Sequence, residues 1–150
     1  MYTVEEFDEN KTKVLKYIMY KKRTENEIRM KFENEIEGNL LEDIIEYLKE
    51  AKYIDDKSYI EKTIKNYQSL KNMSIKELKY KLLTKGLSGD LIENYFYENK
   101  EELEEYEIKS AYNVILKKSN DMEEQEIKSF LLKKGYKIDN INNAFDMSIK

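Results

Sequence analysis

The chain repeats itself, and that recurrence limits its folding more than any other feature. Thr24, Ser74 and Glu123 fall at intervals of 50 and 49 residues. The same intervals relate Glu27 to Glu77 and Glu126, Ile28 to Leu78 and Ile127, and Phe32 to Leu82 and Leu131. Between the second and third copies the interval of 49 continues without a gap through Gly86 and Gly135, Ile92 and Ile141, and Phe96 and Phe145. A period of this length marks one supersecondary unit copied in tandem, each copy burying its apolar face against its neighbours. The first copy is slightly longer around Glu35–Asn39.

Within each copy the apolar residues recur at the spacing of one helix face. Val14, Leu15 and Ile18, with Met19 beside them, predict a first helix over 11–22. Thr24 followed by Glu27 reads as a capping box, opening a second helix with Ile28 and Phe32 inward and Gly38-Asn39 as its break. Leu41, Ile44, Ile45 and Leu48 make the stripe of a third. The pattern then restarts: Asp55-Asp56 caps a helix with Tyr59, Ile60, Ile64 and Tyr67 inward, and Ser74 with Glu77 opens another that closes at Gly86. Leu91, Ile92, Tyr95 and Phe96 complete the second unit. A third begins near Glu101, with Ile108, Ala111, Ile115 and Leu116, then Ile127, Leu131 and Gly135, then Ile138, Ile141 and Phe145.

Proline is absent and glycine occurs four times, so helix breakers and tight hairpins are scarce. The expected fold is all-α: three tandem three-helix repeats, helix-turn-helix-like, in an extended, curved array. The expected divisions are a lead-in at 1–9, partly entering the first helix, and units at 10–54, 55–99 and 100–150. Cysteine and histidine are both absent, which removes disulfides, thiolate nucleophiles, the usual general base and the usual zinc ligands. No enzymatic activity, metal or cofactor is expected. The acidic start MYTVEEFDENK is unlike a secretory signal, and no apolar run reaches membrane-spanning length, so a cytoplasmic protein without membrane contact is expected.

Charge follows the same units. Residues 10–31 carry +6, 32–56 carry −7, 57–86 carry +6 and 87–107 carry −7, in a chain of net charge −4. Residues 57–86 hold eight lysines against Glu61 and Glu77. Two accounts fit. A basic helix pair beside an acidic helix can pair internally, each exposed pair contributing about 0–1 kcal/mol. Alternatively the basic faces form a surface that meets something negative.

The runs KYIMYKKRTENEI at Lys16–Ile28 and YIDD at Tyr53–Asp56, followed by IKELKYKLLTKGL, resemble the RecX family of RecA regulators across residues 4–146. That resemblance implies tandem three-helix repeats and function by contact: binding in the groove of the RecA–single-stranded DNA filament, blocking its extension and suppressing ATP hydrolysis and strand exchange. The middle unit is lysine-rich where many members are arginine-rich, keeping charge but losing the planar fork. The implied partner is the RecA filament, bound by a monomer, with a weak direct DNA contact as a further expectation.

Lys62, Lys65, Lys76 and Lys79 project away from Ile60, Ile64, Leu78 and Leu82, and the resemblance assigns them as partner contacts. Lys21, Lys22, Arg23 and Arg29 are the equivalents in the first unit. Tyr80, on the Lys76–Lys79–Lys81 side of its helix, joins them, whereas Tyr59, Tyr67 and Tyr95 read as core. Asp55-Asp56 reads as a helix cap rather than a metal or acid–base pair. Two other functions stay open: a direct nucleic-acid binder built of helix-turn-helix-like units, and a general helical adaptor.

Overall fold

A computed structural model describes residues 1–149. Among the described residues the regular structure is nine α-helices and no strand: α1 Val4–Tyr20, α2 Glu25–Phe32, α3 Gly38–Glu50, α4 Asp56–Leu70, α5 Ile75–Thr84, α6 Gly89–Glu98, α7 Lys100–Lys118, α8 Glu124–Lys133 and α9 Ile138–Ile149. The capping boxes at Thr24/Glu27, Ser74/Glu77 and Glu123/Glu126 all form. Asp55 caps α4 by accepting from the Ser58 amide.

The residues at matching repeat positions are matched in burial. Ile28, Leu78 and Ile127, then Phe32, Leu82 and Leu131, are all buried, as are the pairs Ile92/Ile141 and Phe96/Phe145. Burying one such side chain stabilises by about 1.5–3 kcal/mol, more than any exposed ion pair here. The core falls into three clusters, one per set of three helices. The second reaches forward along the chain and takes in Leu103 and Tyr106 of α7. Ile54, just before α4, likewise packs into the first.

Four residues depart from the expected pattern. Gly38 is the first residue of α3, not the breaker of α2, which already stops at Phe32. Met19 is 74% exposed, Leu116 52% and Ile138 49%, each displaced from the buried stripe. Met19 and Leu116 directly follow buried Ile18 and Ile115, and successive residues point about 100° apart around a helix. The acidic lead-in is helical from Val4 onward, capped by Thr3, with Phe7 edge-on to Tyr47 of α3.

Consecutive sets of helices meet through one joint used twice. The Thr24 hydroxyl accepts from the Glu27 amide and donates to the Lys85 carbonyl at 3.0 Å. The Ser74 hydroxyl accepts from Glu77 and donates to the Lys134 carbonyl at 2.8 Å. Beside them, the Glu25 amide donates to Asp56 at 3.1 Å and the Ile75 amide donates to Glu107 at 2.6 Å. A carboxylate at a helix N-terminus also meets the positive end of the helix dipole. Gly86 and Gly135 complete the joints. Both have positive φ, 79° and 97°, and a Cβ would fall 2.2 Å from the Asn26 side chain and 2.9 Å from the Lys76 Cβ. Glycine is therefore required twice over, by conformation and by close approach.

Candidate partner-binding face

The basic residues singled out by sequence separate into two groups. Arg29 and Lys79 hold equivalent positions in α2 and α5, and both clamp the following helix. The Arg29 guanidinium donates to both carboxylate oxygens of Glu42 at 2.6 and 2.9 Å and to Glu25 at 3.1 Å. Those hydrogen bonds push Arg29 further up, despite some desolvation, and hold the Glu42 carboxyl below its ordinary range. Lys79 reaches Glu93 at 3.1 Å and lies 5.1 Å from the Phe96 ring centre. In the third set Lys128 keeps the aromatic half of this clamp, 5.4 Å from the Phe145 ring centre. At this position the basic side chain is paired internally, so the sequence assignment of Arg29 and Lys79 as contacts meets a structural competitor.

Lys21, Lys62, Lys65 and Lys76 form no ion pair among the described residues and are exposed. α4 and α5 position three of them: Ile60, Ile64, Leu78 and Leu82 are fully buried, which turns Lys62, Lys65 and Lys76 outward. Tyr80, one turn after Lys76, is 67% exposed. Tyr59, Tyr67 and Tyr95 are partly buried against the second core.

Lys22 and Arg23 lie in a different setting, a cleft of about 70 Å³ between the α1–α2 turn and the start of α4. Lys52, Tyr53, Asp55, Ser58 and Tyr59 complete its lining. Lys22 donates to the Ser58 hydroxyl at 3.1 Å. The Arg23 guanidinium stacks 4.1 Å from the Tyr17 ring centre, and its Nε is buried without a hydrogen-bond partner among the described residues. Three cations thus face one carboxylate, so the cleft favours an anion. The sequence reading missed Lys52 and Tyr53 as members. The signal was present, a Lys-Tyr pair one residue ahead of the Asp-Asp cap, but nothing local shows that the turn folds back on Lys22-Arg23.

Among the described residues no group of three or more acidic side chains is placed to hold a metal ion, and no helix is long and apolar enough to cross a membrane. What this surface offers is ammonium groups, one guanidinium and exposed tyrosine rings.

No protein-family model matches the chain. It is 32% identical to the regulatory protein RecX of Staphylococcus epidermidis, covering 99% of this chain and 59% of that protein. Against the regulatory protein RecX of Staphylococcus carnosus it is 32% identical, covering 87% of this chain and 50% of the relative. With that of Clostridium perfringens strain SM101 it shares 32% identity, over 93% of this chain and 68% of the relative. The chain therefore spans about half to two-thirds of the length of these relatives. Among solved structures, RecX from Lactobacillus salivarius superposes with a TM-score of 0.82 at 21% identity, covering 97% of both chains. A second crystal structure of regulatory protein RecX gives 0.79 at 20% identity, covering 94% of this chain and 73% of that one.

Proposed function

The chain belongs to the RecX family, and on that premise we propose that it regulates a RecA recombinase by laying its basic face in the groove of the RecA–single-stranded DNA filament. The observation that carries the reading is that Lys21, Lys62, Lys65 and Lys76 are exposed and form no ion pair among the described residues, with Tyr80 exposed as well, whereas Arg29 and Lys79 are matched internally. Lysines without an internal partner keep their charge for a polyanion, and contacts of this kind weaken steeply as salt rises. A rigid helical array bound across several filament subunits hinders the rearrangements that accompany ATP turnover, so the effect is inhibition of ATPase, extension and strand exchange without chemistry by the chain itself. The units divide in sequence at 54/55 and 99/100, and the monomer is the acting form.

The test is RecA ATPase on single-stranded DNA with the Lys62→Glu/Lys65→Glu/Lys76→Glu variant. Inhibition is expected to disappear while circular dichroism keeps the same helix content. Full inhibition by that variant removes the site. Reversing Arg29 and Lys79 instead is expected to lower thermal stability.

The cleft at Lys22, Arg23 and Lys52 favours a second reading, direct contact with a DNA phosphate beside the half-exposed Tyr53 ring. Anisotropy of a labelled oligothymidylate should then show binding at low salt that Arg23→Ala weakens about tenfold. No binding at low salt eliminates this reading.

A further inference from the structure

We propose that the outer end of α7–α9 is a docking groove for a cationic amphipathic helix of a partner protein. At the two internal joints the end of one set of helices is covered by the next. Ile54 and Asp56 cover the first, and Leu103, Tyr106 and Glu107 of α7 cover the second. The equivalent place on the third set is an open groove of about 640 Å³. Leu116, Met122 and Phe145 line its floor, and Met122 stands where the second set has Met73, whose backbone bonds the Tyr106 hydroxyl. The groove is thus continuous in design with two filled joints, both of which take a helix.

Charge identifies the occupant. Where the inner joints present Thr24-Glu25 and Ser74-Ile75, this one presents Glu123-Glu124, with Asp121 and Glu126 also in the lining and no lysine or arginine there. Lys128 pairs with Glu124 at 3.8 Å and Glu126 accepts from the Glu123 amide, while Asp121 and Glu123 are exposed with no ion pair among the described residues. A hydroxyl can donate to an incoming carbonyl; the Glu123 carboxylate only accepts. It therefore favours a cationic donor, and it repels a carboxylate of the Asp56 or Glu107 kind. A second copy of this chain would bring Glu5, Glu6, Asp8 and Glu9 of α1 and is disfavoured on the same ground. A helix with lysines flanking an apolar stripe satisfies both floor and rim.

The groove is separate from the basic face, so the proposal stands apart from the filament reading. The probe is a fluorescein-labelled 14-residue leucine/lysine amphipathic peptide titrated with the full chain. Binding is expected to weaken at least tenfold in Glu123→Gln/Glu124→Gln, which keeps the capping acceptor, and in Leu116→Asp. It is expected to be unchanged in the charge-matched Glu101→Gln/Glu102→Gln and in Lys62→Glu/Lys65→Glu/Lys76→Glu. Equal weakening by both glutamate pairs would mean diffuse attraction and overturn the proposal. So would absence of peptide binding together with head-to-tail association of Glu123→Ser/Glu124→Ile, which would make the glutamates a solvating end cap only.

Discussion

Single residues carry the joint between units, and they do so through side chains with two tasks. Thr24 and Ser74 accept from their own helix and donate across the seam, whereas Glu123 caps its helix alone. Ser74→Asp separates the tasks, because aspartate is an equally good cap but has no proton to donate to the Lys134 carbonyl. It should lower stability in urea by about 1–3 kcal/mol, the cost of a part-buried carbonyl losing its donor and facing a carboxylate. Glu123→Ser should change stability by under about 0.5 kcal/mol. Sequence showed the capping half of this arrangement, since a cap and its third residue are neighbours along the chain. The other half stayed hidden: Lys85 and Lys134 lie 60 or more residues away and contribute only a backbone oxygen. Gly86 and Gly135 were legible as left-handed helix stops, but not as points where Asn26 and Lys76 come within contact distance.

Among the helices, α2 and α5 show why like-charged stretches need partners named before they are read as surfaces. Arg29 and Lys79 each sit in a basic stretch of sequence, yet each reaches the acidic face of the next helix. The register that brings Glu42 and Glu93 there is set by the turn between helices, which differs in length between the first and second copies. Helical periodicity within one segment does not contain it. The pairing has a pH signature. The Glu42 carboxyl is held below its ordinary range, so its stabilisation is full above the unfolded value and is lost as acid protonates it. Asp56 has the opposite sign: burial raises its carboxyl, and protonation on acidification adds to stability. Thermal melts between pH 7 and pH 3 should therefore show a shallower acid loss for Glu42→Gln and a steeper one for Asp56→Asn. Each effect should be at most about 1 kcal/mol, since Glu42 is exposed and Asp56 is only partly buried.

For the molecule as a whole, α7 ties the sets together. Its first half belongs to the second core and its second half to the third. Glu107, fully buried, accepts from the amides of Ile75 and Lys137 and from the Asn140 side chain. Nearby, Ser110 bonds both the Met73 carbonyl and the Tyr136 hydroxyl. The chain should therefore unfold in urea as one transition, with helix content and tyrosine fluorescence coinciding. Glu107→Ala leaves the Ile75 and Lys137 amides without an acceptor and Asn140 with Glu104 alone, costs at least about 2 kcal/mol, and should pull those two curves apart. The tandem fold was readable because burial repeats with the sequence. The polar seam was not, since Glu107 looks like one more charge in an acidic run. Of the three sets of helices, α4–α6 alone has a hydroxyl donor facing forward and a positive-φ glycine facing back. It is the interchangeable tile of the assembly, so a longer protein of this build could grow by copying its middle while its two distinctive ends stay as they are.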